Sequence, residues 1–187
     1  EKILISLTIL IIFFITINFS DYIKNRYFGQ FLNLIKTEDE RDKFLENSLY
    51  IKLYKSGIYV FLNNPWLGVG NKNYRIETCD SNKNSIYKEY HCLTHPHQIY
   101  IEMLSEHGII GTAIILSIIF YLIFRIIRKI IDSKNYVQAG CLAYLLINFV
   151  PLLPSGSFFN NFNLTLFMIN FSLMYAVNKE TNIFSKK

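Results

Sequence analysis

The chain has 187 residues, a formal net charge of +5, and apolar residues at 51% of its positions. The apolar residues do not recur in short amphipathic runs, but concentrate in four stretches that alternate with polar segments. This segregation favours a membrane protein over a soluble domain with buried core helices.

The four apolar stretches approach the length of a membrane span. They cover residues 3–19, 108–124, 136–153 and 158–177, and roughly 20 apolar residues cross a hydrocarbon core of about 30 Å. The first two carry no charge, whereas the last two are weakened by a proline and several asparagines. These polar or helix-breaking residues are Asn148, Pro151, Asn161, Asn163 and Asn170. We predict an all-α integral membrane protein with about four transmembrane helices and a large, mostly helical loop between the first two.

The first stretch, within residues 1–20, differs from a signal peptide. Lys2 is the only basic residue ahead of it, no small-residue cleavage site follows it, and the sequence has no initiator Met. Signal peptides combine a basic start, a short apolar core and a cleavage site. We therefore expect a transmembrane helix here, in a chain that begins partway through a longer protein.

Charge distribution predicts the orientation of the spans. The connector at residues 125–135 has four basic residues and one acidic residue, and the tail at residues 178–187 has three and one. Because short cytoplasmic loops are enriched in Lys and Arg, we expect both to be cytoplasmic. Residues 20–107 hold 11 basic and 11 acidic residues, so we expect the loop at residues 21–107 to lie in the periplasm. The net positive charge then faces the cytoplasm, and we do not expect the protein to bind nucleic acid.

The outer loop contains a predicted helix over residues 38–62. Thr37 is a suitable N-cap, acidic residues follow it, and the run Asn63-Asn64-Pro65 ends the pattern. At 100° per residue, a basic stripe with a hydroxyl-bearing end lies on one face of this helix. The stripe consists of Arg41, Ser48, Lys52, Lys55 and Tyr59. Near a membrane it would attract a phosphorylated lipid; a merely solvated face is the alternative.

A turn with the sequence PWLGVG follows at residues 65–70. Gly68 and Gly70 allow positive φ angles or close backbone approach. The turn is not a phosphate-binding Walker loop, because no Gly-Lys-Ser/Thr follows it. We expect a structural turn, and we note Arg75 just beyond it as a second candidate arginine.

Two of the three cysteines lie in the expected outer loop. An oxidising compartment permits a disulfide between Cys79 and Cys92, which would hold together the polar segment DSNKNSIYKEY at residues 80–90. Two separate free thiols are the alternative. Cys141 falls in an apolar stretch, and no cysteine spacing matches a zinc site.

The segment His95-Pro96-His97 leads into a predicted helix. Pro96 suits a first helical turn, and the face that begins at His97 continues to Gly108, where the second apolar stretch begins. His97 would therefore lie near the outer membrane–water interface, where an imidazole can accept a proton from a hydroxyl. An incidental loop histidine is the alternative. His95 and His97 as metal ligands are disfavoured, because no carboxylate–histidine set accompanies them.

These segments together resemble the C-terminal portion of the O-antigen ligase and O-antigen polymerase superfamily. The resemblance rests on NPWLGVG at residues 64–70 and HPHQIYIEMLSEHGIIG at residues 95–111, with Arg41-x-x-x-Leu45 and His97-x10-Gly108 in the same order between two spans. Gln98 departs from the asparagine common in the family but keeps an amide.

The resemblance implies a bacterial inner-membrane glycosyltransferase that is metal-independent, has no cofactor and inverts the anomeric carbon. It implies a polyprenyl-diphosphate-linked glycan donor, and a lipid A-core or other glycan acceptor. His97 would deprotonate or hold the acceptor hydroxyl, and Arg41 and Arg75 would neutralise the leaving diphosphate. The remaining substrate-binding candidates are His95, Lys52, Lys55 and Tyr59.

Three other activities remain open. O-antigen polymerases and protein O-oligosaccharyltransferases of the same superfamily need the same Arg and His chemistry. A non-catalytic glycan flippase or transporter is a more distant alternative. A transport path would place ionisable residues inside the spans, and the four apolar stretches contain none.

Overall fold

The computed structural model describes residues 7–8, 11–12, 37–151 and 153–182. The expected span at residues 3–19 lies outside this part, except for residues 7–8 and 11–12, which are helical. The loop's start at residues 21–36 and the tail's end at residues 183–187 lie outside it as well. The chain divides into two compact units, Glu1–Ser48 and Leu49–Lys187.

Every regular element in the described part is a helix, which confirms the predicted helical class for these residues. The first unit contains α1 (Glu38–Asn47). The second contains α2 (Leu49–Asn63), α3 (Tyr74–Cys79), α4 (Ser81–Ile86), α5 (Ile99–Ser133), α6 (Tyr136–Ile147) and α7 (Asn161–Ala176).

The single helix predicted over residues 38–62 is wrong, because the chain leaves the helix at Ser48. The Asn47 side-chain amide donates a 2.9 Å hydrogen bond to the Lys43 carbonyl. Local side-chain-to-backbone bonds of this kind make asparagine unfavourable inside helices. The predicted stripe is consequently not one helical face: Arg41 belongs to α1, and Lys52, Lys55 and Tyr59 belong to α2.

α5 is the one helix among the described residues that is long and apolar enough to cross a membrane. The sequence predicts an uninterrupted helix here, but the backbone breaks at Gly108, with φ 63° and ψ −172°. The buried carboxylates Glu102 and Glu106 precede the break, and the apolar stretch 108–124 follows it. The break therefore divides a polar N-terminal part of α5 from an apolar one.

The helices in the last two apolar stretches are shorter than the stretches themselves. α6 has 12 residues and α7 has 16, and the described residues between them, 148–151 and 153–160, are non-helical. α7 packs on α6, and α6 on α5. Aromatic rings fill the core there: the Phe158 and Phe167 centroids lie 5.0 Å apart, and those of Phe149 and Phe167 5.9 Å apart.

Candidate active site

His97 lies in the turn before α5 rather than in its first helical turn. Its φ is 57°, in the left-handed region. α5 begins at Ile99 because the buried Gln98 caps it: its Oε1 accepts a 2.9 Å hydrogen bond from the Ile101 N–H. The expectation that the helical face begins at His97 is thus wrong by two residues.

A second contact holds the His97 backbone from the other side. The Ser155 N–H, in the segment between α6 and α7, donates a 2.8 Å hydrogen bond to the His97 carbonyl. A left-handed conformation in a non-glycine residue costs about 1–3 kcal/mol and persists where its surroundings fix it. The cap at Gln98 and the bond from Ser155 supply that constraint.

His95 and His97 form a pair, with ring centroids 4.0 Å apart. The Thr94 hydroxyl and His95 Nδ1 share a 2.9 Å hydrogen bond. Burial, followed by the charge of His97, lowers the pKa of His95 to about 4, while the Ser155 backbone acts in the opposite direction. His95 is therefore a neutral imidazole near pH 7, next to His97. The part of the chain that the structure describes holds no group of three or more potential metal ligands.

Helix α2 supports this segment through Gly57. A β-carbon at Gly57 would lie 2.3 Å from Ile101 Cγ2 and 2.8 Å from Pro96 Cβ, so α2 packs closely against the histidine segment. The Tyr50 and His97 rings make a T-shaped contact, with centroids 6.0 Å apart. Sequence reasoning missed both residues, although an isolated glycine within a helical pattern often signals close packing.

The PWLGVG turn is joined to the helix break through the backbone. The N–H groups of Val69 and Gly70 donate to the carbonyls of Ser105 (3.0 Å) and Glu106 (2.8 Å). In return, the N–H of Ile109 donates to the Pro65 carbonyl, at 2.8 Å. The break at Gly108 leaves several backbone N–H and C=O groups without their helical partners, and these bonds satisfy them.

Two buried carboxylates fix the loops around the site. Glu106 Oε2 accepts a 2.9 Å hydrogen bond from the Lys72 N–H, just after the PWLGVG turn. Glu102 accepts hydrogen bonds from the Ser157 hydroxyl and the Phe158 N–H. Burial raises the pKa of Glu102 to about 7, although these two hydrogen bonds oppose the shift. Both glutamates therefore act as structural acceptors.

The predicted cationic residues are divided between the two units. Arg41, in the first, lies 3.9 Å from Glu38 and 3.7 Å from Asp42. Both partners are largely exposed, so such pairs contribute little. The second unit holds the other candidates: Lys52 is half-buried, and Lys55, Tyr59 and Arg75 are exposed.

Arg75 has no ion pair with any residue in the described ranges. Its guanidinium is therefore available to an anion.

A disulfide joins Cys79 at the end of α3 to Cys92 and closes the segment that contains α4. Beneath it, the Ser56 hydroxyl oxygen accepts hydrogen bonds from the Tyr74 hydroxyl (2.9 Å) and the His91 N–H (3.0 Å). The segment that leads to the histidine pair is thus attached to both α2 and α3. Cys141 is free and buried in α6.

Comparison with known proteins identifies the family of this chain. A family model described as O-antigen ligase matches residues 2–116, more than half of the chain. That range includes the PWLGVG turn, the histidine pair and the break at Gly108. Comparisons with curated proteins and with solved structures find no match. The chain therefore belongs to the O-antigen ligase family, a family of membrane proteins.

Proposed function

We propose that this protein is a glycosyltransferase of the bacterial inner membrane that takes part in lipopolysaccharide biosynthesis. It transfers a glycan from a polyprenyl-diphosphate-linked donor to a sugar hydroxyl of a lipid A-core acceptor. Residues 21–107 lie in the periplasm, spans lie within residues 1–20, 108–124, 136–153 and 158–177, and residues 125–135 and 178–187 are cytoplasmic. Family membership and the long apolar helix α5 support this proposal.

The observation that carries the proposal is the fixed backbone of His97. It is held in a left-handed conformation between the Gln98 cap and the Ser155 N–H, before the apolar part of α5. A base at this place meets substrates whose lipid anchor lies in the outer leaflet. The neutral His95 beside it supports the same role, because it adds no positive charge next to the proposed base.

The reaction is a single displacement. The acceptor oxygen attacks the anomeric carbon of the donor, and His97 takes or holds the hydroxyl proton. The bond from that carbon to the diphosphate breaks, and the electron pair leaves with the diphosphate. Arg41 and Arg75 stabilise its negative charge, and Lys52, Lys55 and Tyr59 hold the donor phosphates. One displacement inverts the anomeric carbon and requires no metal.

The test is glycan transfer in membrane vesicles that contain the full-length protein. His97→Ala should lower kcat at least about 100-fold, the usual range for loss of a general base. His91→Ala is the matched control, because His91 lies in the same loop and contributes its backbone N–H to Ser56; this variant should keep normal transfer. Normal transfer by His97→Ala at normal membrane levels would refute the mechanism.

The role of Arg75 is tested in the same assay. Arg75→Ala should reduce kcat/KM about tenfold or more, and Arg75→Lys should restore only part of it, since lysine lacks the bidentate fork. Arg128→Ala is the control, because Arg128 is an exposed arginine of the connector at residues 125–135.

A further inference from the structure

A cavity of about 290 Å³ lies in the second unit, between the start of α5 and the segment that joins α6 to α7. Small-molecule sites commonly have volumes of roughly 300–1,000 Å³. The cavity is therefore large enough for one small ring and too small for an oligosaccharide. None of its lining residues belongs to the substrate-binding set predicted from the sequence.

The cavity shares a wall with the His97 segment. Ser155 lines the cavity, and its N–H is the group that donates to the His97 carbonyl. Ile99, the first residue of α5, lines it too. A molecule in the cavity is thus next to the turn that holds His97.

The lining favours a neutral ligand. No charged side chain lines the cavity in the part of the chain that the structure describes, so it is unsuited to a diphosphate. Tyr144 and Phe158 supply aromatic surface, and Asn148, Ser155 and Asn163 supply polar groups. Apolar and aromatic walls with a few polar groups are typical of small-ligand sites, and they match a sugar, which has C–H faces and a rim of hydroxyls.

The polar groups retain hydrogen-bonding capacity. The Asn148 amide donates to the Tyr144 carbonyl (2.7 Å), and the Asn163 amide donates to the Ser157 carbonyl (2.8 Å). Their Oδ1 atoms accept no hydrogen bond from the described residues, so both remain acceptors for hydroxyl donors. Ser155 Oγ is buried without a partner among those residues, a state that costs about 1–3 kcal/mol. Rotation about its Cα–Cβ bond would let the hydroxyl bond a ligand.

We infer that this cavity binds a sugar ring of the acceptor, next to the turn that carries His97. The inference rests on the proposed transferase function and names a subsite of it. The lining residues are uncharged, and they therefore differ in chemistry from the cationic groups that would bind the donor. Asn148, Ser155 and Asn163 are accordingly residues that determine acceptor recognition.

The test measures kcat and both KM values with the full-length protein in vesicles. The donor is a polyprenyl-diphosphate-linked glycan and the acceptor a core glycolipid, both isolated from cells that make this protein. Asn148→Leu and Ser155→Ala should raise the acceptor KM about tenfold, as expected for one lost hydrogen bond, with kcat within about twofold and the donor KM unchanged. Ser155→Ala keeps the backbone N–H that donates to the His97 carbonyl, and the hydroxyl that it removes has no partner among the described residues.

Asn170→Leu is the matched control. Asn170 lies in α7 outside the cavity lining, and its amide donates to the Leu166 carbonyl four residues earlier, as Asn148 does to Tyr144. This variant should leave both KM values unchanged. An unchanged acceptor KM in both test variants, or a rise in the donor KM instead, would overturn the inference. Failure of the proposed function looks different: the unaltered protein would transfer no glycan, or His97→Ala would transfer it normally.

Discussion

Gly68 and Gly108 meet where the PWLGVG turn crosses the break in α5, and neither position has room for a side chain. A β-carbon on Gly68 would lie 2.4 Å from the Glu106 carbonyl carbon, and one on Gly108 would lie 2.3 Å from the Trp66 carbonyl carbon. Both glycines have positive φ angles, 67° and 63°. The backbone of the turn therefore contacts the backbone of the helix directly, and this contact requires glycine at both positions.

Gly68→Ala and Gly108→Ala should each destabilise the protein by at least about 2 kcal/mol. The added methyl meets backbone rather than a movable side chain, and an L-residue at this φ adds about 1–2 kcal/mol. The measurement is the midpoint of thermal unfolding in detergent. Gly140→Ala in α6 is the control, because its β-carbon meets no atom within 4 Å. Equal midpoints for all three variants would contradict this account.

Gln98→Ala should lower stability by about 1 kcal/mol and reduce kcat, because the first turn of α5 loses its side-chain cap. Since His97 precedes the cap, its backbone should become less ordered as well. Gln98→Asn should retain most of the stability, because asparagine is a preferred N-cap. Thermal unfolding and glycan transfer are measured on the same preparations. An alanine variant as stable and active as the asparagine variant would argue against this role of Gln98.

The pH dependence of stability should report on Glu102. Its pKa is raised to about 7 in the folded protein, chiefly by burial, so the folded state holds the proton more tightly than the unfolded state. Its contribution to stability is fully present below the unfolded value near 4.5 and is lost as pH rises through 7. The unaltered protein should therefore lose more stability than Glu102→Gln between pH 5 and pH 8, by about 3 kcal/mol at most.

The comparison between these two proteins isolates Glu102, because both keep His95 and Glu106. His95 affects the stability of the protein at acid pH. Because its pKa is lowered to about 4 in the folded protein, stability is lost as pH falls below about 6.5. Thermal midpoints measured from pH 4 to pH 8 cover the pH ranges in which Glu102 and His95 affect stability. Parallel curves for the two proteins above pH 5 would exclude a raised pKa at Glu102.

Trp66 should lie at the outer membrane–water interface. It is 68% exposed and Leu67 is 72% exposed, while backbone bonds tie this turn to Ile109 and Ile110, at the start of the apolar part of α5. Tryptophan is enriched at this depth. The Trp66 signal is the fluorescence that the unaltered protein shows and the Trp66→Phe variant lacks. In bilayers with lipids brominated near the headgroup, this signal should be strongly quenched.

The control for Trp66 is a second tryptophan elsewhere in the loop at residues 21–107. Ile86→Trp in the Trp66→Phe background places an indole at an exposed position at the end of α4. Its fluorescence should be quenched much less by the same lipids. Equal quenching at the two positions would show that the PWLGVG turn does not mark the membrane surface.

Ser155→Pro should lower kcat about tenfold or more, because proline has no N–H to donate to the His97 carbonyl. Ser155→Ala keeps this donor, so the two variants separate the backbone of Ser155 from its side chain. The proline variant should affect kcat, and the alanine variant chiefly the acceptor KM. Similar kcat values for the two would exclude a positioning role for the Ser155 N–H.

Local patterns predicted the parts of this molecule that depend on nearby residues. Apolar run lengths indicated the long helix α5, and the motifs at residues 64–70 and 95–111 indicated the O-antigen ligase family. Asn63-Asn64-Pro65 correctly marked the end of α2, which closes at Asn63. The left-handed His97, by contrast, depends on Ser155, 58 residues later, and the break at Gly108 depends on the turn at residues 65–70. Such long-range contacts leave no periodicity in the sequence.

The segment between α6 and α7 is a second example. Asn148 and Asn163 lowered the apolar character of two predicted spans, but the structure places both in the wall of the cavity. Helical periodicity describes which face of an element is apolar. It does not describe which side chains from separate elements surround an empty volume.

The hydrogen bond from Ser155 to His97 joins two main-chain groups, so it does not depend on the side chain at position 155. Any residue there except proline retains the donor. Homologous proteins can therefore exchange this side chain, and with it the shape of the neighbouring cavity, while the histidine keeps its position. Under the proposed function, substitution at position 155 should therefore change acceptor preference while proton transfer by His97 is retained.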